Sequence, residues 1–201
     1  MHTHSTHQHP DRRSATVEAF LALAAEHNPS DITAAVIAER MGVSRCALFK
    51  RFPGKDAILL AVMGWIAEAL LSRVDRAVQR AGSASSALEG MFMAHVDFAV
   101  QHPAAPRMLF DELHKREGSP RKRTAQTLLR RYRERLQLLI DLGKHRGEFR
   151  SGLDSAAAAT LFVGAVQGLI LHAGLDGGAQ RMRAEAPGVF AVVRLAIEGG
   201  E

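Results

Sequence analysis

Residues 33–55 read TAAVIAERMGVSRCALFKRFPGK, and this stretch predicts two short helices joined by a turn. Thr33 and Ser44 each precede a helical run, where a hydroxyl side chain can cap exposed backbone N–H groups. Gly42 stands between the two runs, at the point where the first helix must end and the chain reverses. Such a position favours a residue that can adopt a positive φ. The expected structure is therefore a helix-turn-helix.

Apolar residues give each of these two helices a side that can be buried. Ile37 and Met41 are one helical turn apart, and Leu48 with Phe52 forms the corresponding stripe of the second helix. The outer side of the second helix carries Arg45, Cys46, Phe49, Lys50 and Arg51. A basic helix presented in this way can enter the major groove of DNA.

The same stretch resembles the DNA-binding domain of the tetracycline-repressor-like (TetR) family of bacterial regulators. The resemblance rests on GVS at 42–44 and on FKRFPGK at 49–55. It implies an all-α protein with an N-terminal three-helix DNA-binding domain at residues 11–55. A larger helical domain for effector binding and dimerisation would follow at residues 56–201. The apolar patterns along the whole chain predict about nine helices.

The resemblance also implies roles for individual residues of the motif. Arg45 and Lys50 would contact base edges, since guanine offers two acceptors in the major groove. Thr33 and Lys55 would hold phosphates, which set the register without reading the sequence. The backbone or base methyl groups would be contacted by Ser44, Ala47, Phe49 and Arg51.

Two positions of the motif depart from the family pattern. Phe49 stands where the family usually has tyrosine, so a phenol contact to phosphate is absent. Cys46 stands where a small residue is common, and two interpretations stay open. It is either a tolerated small side chain or a thiol near a helix N-terminus, whose oxidation would block DNA binding.

Composition limits the class of protein. The 201 residues are 47% hydrophobic and 23% charged, which is typical of a folded chain, and the formal net charge of +5 suits a nucleic-acid partner. One cysteine excludes an internal disulfide framework. We find no glycine-rich phosphate loop, HExxH or GxSxG motif, so neither an enzyme nor a cofactor is expected.

Neither a secretion signal nor a membrane span is expected. The first residues lack an apolar segment. Glu68 interrupts one apolar stretch, at 57–71, and Gln167 and His172 interrupt another, at 161–175. A membrane partner is therefore not expected, and the expected location is the cytoplasm.

Histidines raise an alternative function. Residues 1–10 are expected to be a disordered tail, but His2, His4, His7 and His9 are spaced along it, and such tracts can bind divalent metal. The body adds His95, His102 and His114. A metal-responsive regulator that uses the tail or these body histidines remains the alternative.

The remainder of the chain reads as helices separated by short breaks. Breaks are expected at 82–85 and 102–106, a turn-rich link at 143–154, and a glycine-bearing loop at 176–187. The strongly basic run at 120–144 has an apolar stripe, and it is interpreted as a solvated helix rather than a second nucleic-acid surface.

By resemblance, the body holds an effector pocket and a dimer interface. The candidate pocket residues suit a lipophilic or aromatic effector: Phe92, His95, Phe98, Met108, Phe110, Tyr132, Phe162 and Gln167. The candidate interface residues are small or apolar: Ala156, Thr160, Gly164, Gly168, Val189, Val192, Val193 and Ala196. The expected function is a homodimeric repressor that binds a palindromic operator and is released by its effector.

Overall fold

The computed structural model describes residues 12–175 and 178–198. The histidine-rich tail predicted for residues 1–10 lies outside these ranges. The described residues form nine helices and no strand, which confirms the all-α prediction. The helices are α1 (Arg12–Glu26), α2 (Ala34–Arg40), α3 (Arg45–Phe49), α4 (Lys55–Gln79), α5 (Ala84–Gln101), α6 (Ala104–His114), α7 (Pro120–His145), α8 (Ser155–Leu175) and α9 (Gly178–Glu198).

The chain divides into two compact units between Trp65 and Ile66, so α4 begins in the first unit and ends in the second. The first unit is built from α1, α2, α3 and the start of α4. The second unit contains the rest of α4 and the five later helices. The functional boundary expected at residues 55 and 56 stays a prediction.

The helix-turn-helix forms through the local contacts that its sequence predicts. The Thr33 hydroxyl accepts a hydrogen bond from the Val36 N–H at 3.3 Å, and that of Ser44 accepts one from the Ala47 N–H at 3.2 Å. Gly42 has a φ of 63°, in the left-handed region that glycine adopts without strain. Each cap satisfies a backbone donor that the first turn leaves unpaired.

The second helix of the motif is shorter than its pattern indicates. α3 ends at Phe49, with Lys50 as its C-cap. Phe52 therefore lies beyond the helix, although it is buried beside the rest of the apolar stripe, as are Ile37 and Leu48. Lys50 and Arg51 follow the helix rather than extend it.

In the second unit, α5 is the central helix and contacts α6, α7, α8 and α9. Phe92 lies at its centre, with ring centroids 5.3 Å from both Phe162 of α8 and Phe190 of α9. All three rings are buried. Edge-to-face and tilted contacts of this kind stabilise a core beyond the area that they bury.

The prediction of a loop at residues 176–187 is wrong from residue 178 onward. α9 begins at Gly178 and continues through Pro187, while residues 176 and 177 lie outside the described ranges. Its buried positions follow one helical stripe: Met182, Ala186, Phe190, Val193 and Ile197. The free energy gained by burying this stripe offsets the loss of the backbone hydrogen bond that proline cannot make.

α6 begins earlier than expected, because residues 104–106 belong to it rather than to a break. Pro106 lies in its first turn, where the missing N–H has no helical partner to lose.

Two helices, Lys55–Gln79 and Ser155–Gly174, are long and apolar enough to cross a membrane by length and composition. The expectation that Glu68, Gln167 and His172 exclude a span is therefore not supported by that criterion alone. The core helix of a soluble protein passes the same test, and each of these helices buries residues within the fold.

Candidate nucleic-acid interface and helical-body cavity

The basic side chains predicted to read DNA lie on the surface of the first unit. Arg45, Lys50 and Arg51 are exposed, while Leu48 on the opposite side of α3 is 2% exposed. The buried leucine sets the orientation of the short helix, and the basic residues are left facing solvent. This arrangement suits insertion into a major groove.

The two uncharged positions that mark the departure from the family pattern are also at the surface. Phe49 is 41% exposed and Cys46 is exposed, whereas Ala47 is half-buried. An exposed aromatic ring beside basic residues can contact a sugar or a base methyl group, although it cannot donate to phosphate. The exposure of Cys46 leaves both interpretations of its thiol open.

Lys55 has a structural contact that the sequence did not indicate. Its Nζ donates a hydrogen bond to the Ser30 carbonyl at 2.5 Å, across the turn that precedes α2. An ammonium group has three donors, so this contact leaves two for a phosphate. Thr33 and Ser44 use their hydroxyl oxygens as helix caps, and each hydroxyl can still donate its hydrogen.

A cavity of about 640 Å³ opens in the second unit. His95, Tyr132 and Gln167, three of the eight predicted pocket residues, line it. Thr160, which was assigned to the dimer interface, lines it as well. The volume falls in the range of small-molecule sites in proteins.

The other five predicted pocket residues do not line this cavity. Phe92 and Phe162 lie in the aromatic core, and Phe98 packs beneath the Arg73 guanidinium at 5.2 Å. Met108 is buried, and Phe110 is 40% exposed and stacks on His114. Helical spacing identifies an inward side but does not tell a filled core from a void.

Most of the lining residues that the sequence did not predict belong to α7. The apolar residues of the lining include Leu128 and Leu129 from α7, and Leu70, Leu109 and Val163 from other helices. Its polar part includes Gln126, Arg130, Arg133, Glu134 and Gln137. Leu128 belongs to the apolar stripe of the basic run, but such a stripe does not by itself distinguish packing from a cavity.

The polar groups deep in the cavity carry no charge at neutral pH. His95 Nδ1 and the Tyr132 hydroxyl are 2.9 Å apart and share a hydrogen bond. Burial lowers the pKa of His95 to about 4 and raises the pKa of Tyr132, because both charged forms lose hydration. Gln167 lines the same cavity, and its Oε1 is buried and accepts no hydrogen bond from any residue that the structure describes.

Part of the basic run on α7 is engaged in ion pairs. Arg135 binds Asp75 of α4 through two hydrogen bonds, of 2.6 and 2.9 Å, and the pairing holds the pKa of Asp75 below its usual value. Arg121 reaches the buried Glu112 of α6 at 2.8 Å. These contacts support the interpretation of the run as a structural helix rather than a second nucleic-acid surface.

Most of the predicted interface residues lie at exposed positions of α8 and α9. In the single chain the exposed positions are Ala156, Thr160, Gly164, Gly168, Val192 and Ala196. Val189 is half-buried, and Val193 is buried within its own chain. Leu161, Leu171 and Leu195 add large exposed side chains to the same two helices. We refer to these exposed residues as the α8–α9 face.

Among residues 12–175 and 178–198, no three histidine, cysteine, aspartate or glutamate side chains group as metal ligands. Each of the three histidines considered as metal ligands has another contact. His95 pairs with Tyr132, His102 Nε2 lies 3.4 Å from Arg73, and His114 donates to the Phe110 carbonyl at 2.8 Å.

Comparison with known proteins agrees with this architecture. Residues 17–62 match the family model described as bacterial regulatory proteins of the tetR family, and residues 109–186 match the tetracyclin repressor-like C-terminal domain. The model of the DNA-binding domain thus covers the helix-turn-helix, and that of the C-terminal domain covers all of α7 and α8.

Curated relatives include two proteins named nucleoid occlusion factor SlmA. The one from Marinobacter nauticus is 30% identical over 149 residues, which are 74% of each chain. The one from a Marinomonas species is 27% identical over 163 residues, which are 81% of this chain and 82% of that relative.

Solved structures share the fold at lower identity. The ketosteroid transcriptional regulator KstR2 of Mycobacterium tuberculosis has a TM-score of 0.76 at 20% identity, over 96% of this chain and 98% of that one. FadR from Bacillus subtilis, solved with stearoyl-CoA, has a TM-score of 0.73 at 16% identity, over 90% and 96%. With the matches of both domains, these likenesses show that the chain belongs to the TetR family of bacterial regulatory proteins and is a DNA-binding transcriptional regulator, not an enzyme.

Proposed function

We propose that the protein is a homodimeric repressor that binds a palindromic operator and is released by a small lipophilic or aromatic effector. The carrying observation is the cavity of about 640 Å³ in the second unit, which is lined by leucines, a valine and the uncharged side chains of His95, Tyr132 and Gln167, with charged side chains at exposed positions. Such a cavity binds a small molecule by burying apolar surface, and its few polar groups orient that molecule. Arg45 and Lys50 would read base edges, while Thr33 and Lys55 would hold phosphates.

In this proposal the two copies of the chain pack against each other through the α8–α9 face. Small side chains at Ala156, Gly164 and Gly168 allow a partner helix to approach closely, and Leu171, Val192 and Leu195 offer apolar area. A two-fold dimer presents the same DNA-binding unit twice, so its operator has two equivalent half-sites.

Release by an effector requires a connection from the cavity to the DNA-binding unit. α7 supplies much of the cavity wall, and its Arg135 donates two hydrogen bonds to Asp75 of α4. α4 itself starts in the first unit, at Lys55. An effector that favours one position of α7 would thus bias α4, by no more than its difference in affinity for the two states.

The test is selection of binding sites from genomic DNA, followed by footprinting. We expect a palindromic site protected over both halves and released when a cognate effector is added. Recovery of only non-specific DNA would contradict the proposal. Genes beside the site would indicate the chemical class of the effector. We infer a cytoplasmic location because the DNA partner is there.

The curated relatives raise a second candidate, because both are named nucleoid occlusion factors. A protein with that role would affect where cells divide relative to the nucleoid. Imaging of cells that lack this protein separates the candidates. Septa formed across the nucleoid would favour occlusion, whereas normal septa with altered transcription beside one operator would favour the repressor.

Regulation by metal remains the alternative to an organic effector. The test compares operator affinity with and without zinc, nickel or copper, in the full chain and in a variant that lacks residues 2–9. A metal response that disappears with the histidine tract would support the alternative. Unchanged operator affinity in both proteins would exclude it.

A further inference from the structure

Gln167 of α8 is placed where a ligand group is needed to complete its hydrogen bonding. Its Oε1 is buried at the cavity wall, and no donor among the described residues reaches it. Most buried polar atoms in proteins have a partner, because an unpaired one has lost its hydrogen bonds to water without replacement. A group that donates to this oxygen on binding would therefore gain affinity.

The other two buried polar side chains of the lining, His95 and Tyr132, are already hydrogen-bonded to each other. His95 and Tyr132 share a hydrogen bond of 2.9 Å, and burial keeps the imidazole neutral by lowering the pKa of His95 to about 4. The floor of the cavity therefore offers an unpaired acceptor and no positive charge. A carboxylate placed against Gln167 Oε1 would face its lone pairs, and neither His95 nor Tyr132 would supply a positive charge to balance it.

Charge is found instead at the solvent-exposed part of the lining. Arg130 and Glu134 are both more than half exposed at their side chains and lie 3.7 Å apart. Arg133 is exposed as well. The lining also contains the aliphatic side chains of Leu128, Leu129 and Val163. Its charged side chains are thus exposed, whereas His95, Tyr132 and Gln167 Oε1 are buried.

We propose that Gln167 Oε1 accepts a hydrogen bond from an uncharged hydroxyl group of the effector, so that the cavity selects apolar alcohols and phenols. Ethers and carboxylates have no proton to donate to this oxygen. A hydroxyl group also replaces any water at the oxygen without loss of a hydrogen bond. This assignment rests on the proposed function, in which the cavity holds the effector.

The experiment uses pairs of probes in which the O–H donor of a phenol is replaced by an O-methyl group. Binding of 2-naphthol and 4-butylphenol to the full chain is compared with that of 2-methoxynaphthalene and 4-butylanisole, by fluorescence titration and calorimetry. We expect each phenol to bind about tenfold more tightly than its methyl ether, as one hydrogen bond to a buried acceptor implies. Equal affinities, or no binding of either member of both pairs, would overturn the assignment.

Two variants locate the effect within the cavity. Gln167→Met keeps the length of the side chain but removes the acceptor, and it should abolish the preference for phenols. Gln137→Met makes the same change elsewhere in the lining and should retain it. A preference that survives in Gln167→Met, with an unchanged thermal transition to show that the variant is folded, would contradict the role of Gln167.

Operator binding is measured separately, so that the two proposals can fail independently. If phenols bind through Gln167 but leave operator affinity unchanged, the effector part of the proposed function fails and the hydroxyl subsite stands. If a small molecule releases the protein from its operator and the cavity does not distinguish phenols from ethers, the subsite fails and the proposed function stands.

Discussion

Lys50 and Lys55 carry the same charge in different surroundings. Lys50 is exposed at the C-cap of α3, whereas the Lys55 ammonium is held by the Ser30 carbonyl. The first side chain is free to follow a base edge. The second is fixed near the surface by its own chain, which suits a contact to a phosphate.

The first prediction compares alanine substitutions at these two lysines. Lys50→Ala should relax base preference at one position of each half-site, with a loss of about 1–3 kcal/mol of discrimination. Lys55→Ala should weaken binding to all sequences alike and lower the slope of log K against log salt by about one. Binding to operator and scrambled DNA at several salt concentrations checks both. Equal loss of base preference in the two variants would contradict the assigned roles.

His95 gives a prediction about pH at the residue scale. Its pKa is lowered by burial to about 4, while the unfolded chain has the ordinary value near 6.5. Between these values the unfolded state binds a proton that the folded state does not, so stability is lost as the pH falls. The lower pKa of His102, also caused first by burial, acts in the same direction.

The wild-type protein should therefore lose about 2 kcal/mol more stability between pH 7 and pH 5 than His95→Gln does. Urea unfolding of both proteins at the two pH values measures the difference. The comparison removes the shared contributions of His102 and of the carboxylates. Parallel pH dependences in the two proteins would show that His95 is not kept neutral by burial.

At the scale of elements, the C-terminal end of α7 is closed by a glycine against an aromatic ring. A Cβ on Gly143 would lie 2.1 Å from two ring atoms of Phe149, which is buried. The Gly143 carbonyl also accepts hydrogen bonds from the backbone N–H groups of Glu148 and Phe149, at 2.9 and 3.3 Å. The turn after α7 therefore packs directly on the helix end.

Gly143→Ala should destabilise the protein by about 1–3 kcal/mol, because Phe149 must move out of a packed position. The matched control is Gly152→Ala, since a Cβ at this exposed position meets nothing within 4 Å. Chemical denaturation of both variants tests the prediction. Equal stability of the two variants would mean that the ring relocates without cost.

The α8–α9 face gives the second prediction at this scale. Leu195 on α9 and Leu138 on α7 are equally exposed in the single chain, at 69% and 70%. If α9 packs against a second copy, Leu195→Glu buries a charge in the interface and should convert dimer to monomer. Leu138→Glu makes the same change outside the α8–α9 face and should leave the dimer intact. Sedimentation velocity distinguishes the outcomes, and a Leu195→Glu dimer would exclude this face.

At the scale of the whole molecule, the prediction concerns two DNA-binding units joined in one dimer. The half-sites of such an operator repeat about every helical turn, roughly 10 base pairs. An insertion of about 5 base pairs between them should lower affinity strongly, because the second half-site turns to the opposite side of the duplex. An insertion of about 10 base pairs returns the second half-site to the same side of the duplex as the first, and it serves as the control. Equal loss with both insertions would indicate that only spacing, not rotational phase, limits binding.

The sequence by itself determined the local elements of the DNA-binding motif. Thr33, Gly42 and Ser44 act through hydrogen bonds and backbone angles within a few residues, so their roles follow from chain order alone. The all-α class followed in the same way, because helical periodicity is a local property. The prediction of a loop at Pro187 is wrong because it rests on local propensity alone. Packing against other helices keeps this proline within α9.

Only the tertiary structure decided which inward-facing side chains meet a void and which meet one another. Phe92 and Phe162 fill the core, while His95, Tyr132 and Gln167, which share the same kind of helical pattern, line the cavity. The contact of Lys55 with Ser30 and that of Arg135 with Asp75 likewise join positions far apart in the chain. A void and a long-range pair depend on how whole helices pack, and periodicity along one helix carries no information about the shape of its neighbours.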